Sequence, residues 1–465
     1  MTNSTLLART VADRAQSTRS LTLGLCMNIV AIAFESIAVA TAMPVAAREL
    51  NGIGWYAWSF SLFLIGMLFS TVVAGRLSDR VGFAKPLLTG LAVFVLGLVI
   101  AGSAVQMAQL VTGRLIQGLG SGLINTAVFV CVAVAYREAD RPQMFTYLST
   151  AWVLPAFVGP PVAAWLTQRW GWHCVFFSVI PLVVVGGLLI LPSLRQLMVP
   201  PPTSAAAPGT LQPAPLWAAG LVAVAAAGLQ LAGQQLGWTG AALLLGGIVA
   251  LVVGLPHLMP ACFGRVGRGL PAVIITRGLL SGAFVGGEAF VPLMLVEQRQ
   301  LGLVLAGAAL TVGSIGWMTG SWLQSRPWFS VRRDRIITLG CVSVAVGLGG
   351  IATIAFVSTL PYWLAGMSWV FSGFGMGLAT SSTAVVVMTL SSEHTQGRNA
   401  SSLNLSDALG AGLFVGLSGT LFTALHATGQ LPLTFGTLLL TMSAVAVLAG
   451  LATLRIGAVT NDATR

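Results

Sequence analysis

Apolar runs of roughly twenty residues follow one another along almost the whole chain, and that rhythm limits the fold before any motif is read. A run of about 20 apolar residues wound as a helix crosses a hydrocarbon core about 30 Å thick. Inside such a core each backbone N–H and C=O must be satisfied without water, which leaves only helices or closed barrels. Runs this long select the helix. Composition agrees: 56% of the 465 residues are hydrophobic and only 8% are charged, whereas soluble domains carry about a quarter charged residues. The chain is expected to be an all-α polytopic membrane protein with the lipid bilayer as its solvent.

Polar interruptions place fourteen spans, near residues 21–44, 54–76, 86–104, 107–135, 143–168, 173–193, 215–235, 239–259, 270–296, 302–324, 336–357, 361–390, 399–425 and 433–455. The first run is longer than a signal-peptide core and leads straight into further spans, so no cleaved leader is expected. Lysine and arginine concentrate in cytoplasmic loops. With the N-terminus inside, Arg48, Arg169 and Arg299 fall outside and Arg114 and Arg277 fall within spans, while the other eighteen of the 23 basic residues are cytoplasmic. This asymmetry predicts an even number of passes, cytoplasmic termini and a multi-pass protein of the inner (plasma) membrane. It also accounts for the net charge of +11, so no nucleic-acid partner is expected.

The five cysteines, Cys26, Cys131, Cys174, Cys262 and Cys341, have no paired or metal-type spacing and read as small apolar side chains. No His-Glu-x-x-His, Gly-x-Ser-x-Gly or P-loop pattern occurs, so neither hydrolysis nor ATP coupling has a seat. No enzyme activity, metal or cofactor is expected. Energy for transport would come from an ion gradient or from the substrate's own.

Internal similarity points to duplication. Gly118, Gly120 and Gly122 are matched by Gly373, Gly375 and Gly377 at an offset of 255 positions, and Glu35 by Glu288 at 253. The basic loop starting at Gly75 is echoed weakly between Gly320 and Arg335. These offsets predict two six-helix bundles in pseudo-twofold parallel repeat, at 1–200 and 266–465, with a segment at 201–265 holding a linker and two additional transmembrane helices. The proline-rich stretch from Pro200 to Gly209 suits an extended linker. The added pair has no charge in its interior and reads as peripheral, facing lipid.

Several segments resemble the major facilitator superfamily, in its 14-span branch of drug:proton antiporters. Gly75-x-Leu77-Ser78-Asp79-Arg80-x-Gly82 resembles the family's loop between helices two and three, with Phe83-Ala84 where a basic pair is usual. Arg114-x-x-Gln117-Gly118-x-Gly120-x-Gly122 resembles the helix-four motif. Gly159-Pro160 resembles the core of the helix-five antiporter motif, with Pro155, Ala163 and Ala164 at flanking positions that the family fills with glycine. The run from Trp170 to Phe176, followed by Pro181, is similar to the start of helix six in that branch. The resemblance covers nearly the whole chain. It implies alternating access, multidrug efflux and antibiotic resistance, and an Asp79 that pairs across the halves in one conformation and lets go in the other.

The residues themselves give a reading beside this one. Gly75 and Gly82 supply bends in a short loop whose Arg76, Arg80 and Lys85 stay with the headgroups; a merely solvated loop is the alternative. Counting about 1.5 Å per residue from Pro44, Met107 and Val296 puts Glu35, Arg114 and Glu288 at one depth, roughly 11–13 Å down. Unpaired charges at that depth cost at least a few kcal/mol, so all three should face the interior. Glu35 with Arg114 is taken as the proton-coupling pair and Glu288 as a second carboxyl that carries a proton or attracts a cation. A fixed structural Glu35–Arg114 ion pair is the competing reading.

Other residues take supporting parts. Arg277 is expected to snorkel to the interface. Asp407, satisfied by Asn404, Ser406 and Gly410, is assigned to an inner gate together with Gly75, Asp79, Arg80, Gly82, Gly159 and Pro160. Gly118-x-x-x-Gly122 reads as close helix packing. Trp152, Trp317 and Trp369, with Glu35 and Glu288, are candidates for the substrate cavity, and Trp58 was weighed with them; interfacial anchoring competes for each tryptophan.

Together these readings predict a monomeric, proton-coupled exporter of hydrophobic small molecules, cations among them, working by alternating access. A narrow exporter of an endogenous natural product, amphiphile or lipid shares every feature. A membrane sensor or embedded enzyme is the remote alternative.

Overall fold

Each apolar run folds as a helix because only that shape satisfies its backbone without water. The computed structural model describes residues 3–137, 140–197, 215–235, 237–259, 263, 267–326, 328–329, 331–392 and 395–459, and the side chains among them except at 3–18, 142, 195–197 and 397–398. The first half is built from α1 (Asn3–Glu49), α2 (Trp58–Val81), α3 (Ala84–Gly102), α4 (Met107–Ala135), α5 (Arg141–Trp170) and α6 (His173–Leu197). Next come α7 (Leu216–Ala232) and α8 (Trp238–Leu258). The second half comprises α9 (Leu270–Glu288), α10 (Val291–Glu297), α11 (Leu303–Gln324), α12 (Arg333–Phe356), α13 (Trp363–Thr389), α14 (Gln396–His426) and α15 (Leu431–Thr453). No strand occurs among the described residues. The expected linker at 200–209, with Cys262, Arg265 and Arg465, lies outside them; the other four cysteines are free.

Among the described residues thirteen segments are long and apolar enough to cross a membrane, with α9 and α10 counted as one. The fourteenth expected span, 215–235, is shorter than its sequence suggests: α7 has 17 residues, roughly 25 Å of helix. Helix ends also run past the polar breaks. Pro44 lies inside α1, so Glu35 sits fourteen residues, roughly 21 Å, from that helix's end rather than nine. α2 continues through Gly75, Arg76, Asp79 and Arg80 to Val81. The expected loop is therefore a turn at Gly82 and Phe83 alone. Gly82, at φ 77°, makes that bend, whereas Gly75 is an ordinary helical residue.

The two halves pack alike. α1 lies against α5 and α6, as α9 does against α14 and α15; α4 lies between α2 and α3, as α13 does between α11 and α12. Glycine sets those distances. A Cβ at Gly118 would stand 2.1 Å from the Phe63 carbonyl oxygen of α2, and one at Gly120 2.5 Å from the Phe94 nitrogen of α3. In the second half Gly373 meets the Gly313 oxygen of α11 at 2.0 Å and Gly375 the Gly340 oxygen of α12 at 2.4 Å. Between the halves, α2 meets α14 and α5 meets α11.

The two helices of the added pair differ in how deeply they pack. α8 turns Leu245 and Val252 outward, as a peripheral helix should. α7 instead lies along the seam of α2 and α14. Gln230 is buried beside Gly416 and Gly419 of α14, the Gln234 Oε1 accepts a hydrogen bond from Trp58 Nε1 at 3.1 Å, and Gly233 is pressed against Thr420. α7 still leaves Trp217 and Val224 exposed on its outer side, so the same helix faces outward on one side and buries amides and glycines against α2 and α14 on the other.

Candidate functional site

The described start of the first span and the stretch following α15, whose Arg455 and Val459 carbonyls accept from Gly269 and Arg333, lie on one face, here called the terminal face; the turns at 50–57 and 298–302 lie on the far face. In the first half the carboxylate and guanidinium singled out by depth do meet. Glu35 of α1 is fully buried and Arg114 of α4 is 2% exposed, and the Arg114 Nη1 donates to Glu35 Oε1. Arg114 is held on other sides too: Nη1 donates to Gln117 Oε1 at 2.7 Å, Nε donates to the Ser59 carbonyl at 2.8 Å, and Cζ lies 4.4 Å from the centre of the Phe63 ring. Glu35 Oε2 is buried without a hydrogen-bond partner. One lone charge here would be strongly destabilising; the pair with its neutral hydrogen bonds is tolerated.

The second half treats its acid differently. Glu288 is half-buried and has no hydrogen-bond or ion-pair partner among the described residues. It ends α9, because Pro292 has no N–H to give back to the Glu288 carbonyl and the helix breaks at Ala289 and Phe290. One turn earlier on the same helix face, Phe284 stacks on Trp369 with ring centres 4.7 Å apart and meets Trp317 edge-on at 5.6 Å. Trp317 is half-buried and available to line a cavity. Trp369, at 1% exposure, is packing: Gly313 leaves the space that its ring fills. Trp58 is likewise buried at the α2 end.

Two expectations are corrected. Arg277 does not snorkel to the interface, since its Nε donates to Asp407 Oδ1 at 2.5 Å and its Nη1 to Thr383 Oγ1 at 3.4 Å. Asp407 is thus satisfied by another helix and not by its neighbours: Ser406 donates to the Ile274 carbonyl, and Gly410 presses against Gly278. An arginine seven residues into a span has a stem long enough to reach the interface, and only the helix register shows that it reaches a carboxylate.

Contacts between the halves run from the far face to mid-membrane. On the rim Arg48 pairs with Glu297. Just beneath, the fully buried Tyr56 donates to the Ala289 carbonyl at 2.7 Å and packs its ring on Phe290, which in turn meets Phe422. Deeper, Ser314 of α11 donates to the Ala156 carbonyl of α5, and Pro160 abuts Gly307. Gly159 faces Phe34 and Ile37 of α1. Trp152, one turn along α5 from Ala156 toward the terminal face, is 41% exposed, and Asp79 and Arg80 are exposed at the end of α2. The far side is shut. Sequence reasoning missed Tyr56, Phe290 and Phe422, and it counted Arg48 only as a topological charge, because their partners lie more than a hundred positions away and no local spacing rule reaches that far.

Two similarly packed helical bundles, in contact on one face and carrying buried ionisable side chains, have the architecture of a membrane transporter. The sequence profile of the Major Facilitator Superfamily matches residues 23–415, and the chain belongs to that family of membrane transporters. It is 25% identical over 415 residues to the methylenomycin A resistance protein of Bacillus subtilis (strain 168), covering 86% of each chain. It is 23% identical over 405 residues to the multidrug efflux pump SdrM of Staphylococcus aureus (strain N315), covering 84% of this chain and 86% of that one. Multidrug resistance protein 3 of Bacillus subtilis is 28% identical over 182 residues, but the match spans only 36% of its length and 39% of this chain. Among solved structures, a POT family transporter in complex with 5-aminolevulinic acid superposes with a TM-score of 0.69 at 15% identity, covering 94% of this chain and 95% of that one. That likeness speaks to the fold alone.

Proposed function

We propose that the chain is a monomeric proton-coupled antiporter of the inner membrane, with cytoplasmic termini, that expels hydrophobic small molecules, cations among them. The observation that carries this reading is Glu288: a carboxyl at membrane depth, at a helix break, with no partner among the described residues. An acid so placed changes charge as its surroundings change and can exchange a proton for a substrate. The half-buried Trp317, packed edge-on against Phe284 one turn from Glu288, offers a π-face to an apolar cation. Glu35 was expected to share the proton work. With Arg114 held at three acceptors, the reading of a fixed ion pair that ties α1 to α4 is favoured for it. The names of the bacterial relatives support export of toxic compounds.

The two halves would rock about the mid-membrane contacts, opening the terminal face in the state described and the far face in the other. On this reading Asp79 and Arg80, exposed here, close against the second half when the far face opens, with Gly82, Gly159, Pro160 and Asp407 placed along the moving seams. The test is transport in proteoliposomes with a pH-reporting dye, against a panel of lipophilic cations, neutral compounds and lipids. Substrate-dependent proton movement supports antiport; accumulation of substrate with none rejects it.

A further inference from the structure

The break beside Glu288 is closed by the other half of the molecule. Pro292 removes the helical donor to the Glu288 carbonyl, α9 stops, and the next carbonyl, that of Ala289, accepts its hydrogen bond from Tyr56 in the turn before α2. Tyr56 is fully buried, and its ring is held between Phe60 at 5.3 Å and Phe290 at 5.2 Å. Ala289 is 3% exposed, and a backbone carbonyl buried this deeply is costly unless it accepts a hydrogen bond. The partner here lies across the seam that must part when the far face opens.

We propose that Tyr56 is a positioning residue for Glu288: its hydroxyl fixes the α9–α10 break when the far face is shut and frees it when the face opens, so that closure and the environment of the carboxyl change together. The inference rests on the reading of Glu288 as the proton carrier. The groups facing this region are few. Arg48 and Glu297 pair with one another on the rim, His426 at the end of α14 stacks on Phe422 with ring centres 4.8 Å apart, and the Tyr56 hydroxyl, from the turn before α2, is the group that donates to the break. Opening the far face withdraws that donor from Ala289, which adjoins Glu288 in the chain. The backbone at the break is then free to turn, and Glu288 turns with it.

Tyr56→Phe removes the hydroxyl and keeps the ring, so the aromatic packing and the fold should survive. In proteoliposomes the variant is expected to retain substrate counterflow while the number of protons moved per substrate falls several-fold and the pH profile of transport shifts. Tyr56→Ala, which also deletes the ring, should add a loss of far-face closure, read as a longer distance between spin labels at Asn51 and Ser358. An unchanged proton ratio and pH profile in Tyr56→Phe, with counterflow intact, would overturn the proposal. Glu288→Gln separates the two readings: if it keeps the parental pH profile, Glu288 is not the proton carrier and the reading beneath fails. If Glu288→Gln loses the profile and Tyr56→Phe does not, only the Tyr56 inference fails.

Discussion

The two halves share a scaffold and differ in what they mount on it. Gly118, Gly120 and Gly122 bring α4 onto α2 and α3 just as Gly373, Gly375 and Gly377 bring α13 onto α11 and α12. At the same offset of 255 positions, Arg114 in α4 corresponds to Trp369 in α13. One change of residue reorganises the surroundings. In the first half Arg114 neutralises Glu35 and rests on the Phe63 ring; in the second, Trp369 occupies the space left by Gly313, and Glu288 has no cation partner among the described residues. The backbone follows: α1 runs unbroken past Glu35 to Glu49, whereas α9 stops at Glu288. Duplication supplies two equivalent cradles, and on the proposed reading divergence makes one a tie and the other the site of proton exchange.

The largest expected effect tests that division. Glu288→Gln should abolish accumulation driven by an imposed pH gradient while leaving counterflow and the folded fraction near the parent's. If Glu288→Gln accumulates substrate as well as the parent, the halves do not divide the work in this way. Glu35→Gln should fail differently. It leaves Arg114 buried without its counter-ion, which costs about 3–5 kcal/mol, so the measurement is a lowered unfolding temperature in detergent. A Glu35→Gln protein of normal stability with proton coupling lost would exchange the roles assigned to the two acids.

The fold was legible because its causes are periodic. Runs of apolar residues and paired glycine triplets repeat at fixed intervals, and the bilayer turns such runs into helices with little alternative. Glu35 with Arg114 was legible for a related reason: two opposite charges at one depth in a medium this apolar have few other places to go. The rest depended on register. Arg277 reaching Asp407, Tyr56 reaching Ala289 and Gln230 entering the α2–α14 seam are each settled by which face of a helix meets its neighbour. Hydropathy cannot carry that information, because all faces of these helices are apolar.

A smaller effect probes the shared scaffold. Gly118→Ala and Gly373→Ala each drive a methyl group to about 2 Å from a backbone oxygen. Neither oxygen can yield without moving a helix, and overpacking of this kind costs about 1–3 kcal/mol. The two variants should therefore lower the unfolding temperature by similar amounts. A clear difference would show that only one half is held this tightly, and that the repeat is one of chain path more than of mechanics.

The smallest expected effect lies where the repeat fails. Gly75 was matched to Gly320 in sequence, yet a Cβ at Gly320 would stand 2.3 Å from the Phe374 oxygen, while one at Gly75 has nothing within 4 Å. Inside a helix glycine is less favourable than alanine by about 0.5–1 kcal/mol. Gly75→Ala should then leave stability unchanged or raise it by that amount, whereas Gly320→Ala should lower it. Transport supplies the sharper reading. A Gly75→Ala protein that is folded and stable but transports slowly would place a close neighbour at Gly75 in the state where the far face is open, with the end of α2 packed against the second half. Normal transport would leave Gly75 without a packing duty in either state, and the closing contacts of the terminal face would fall to Asp79 and Arg80 on the next turn.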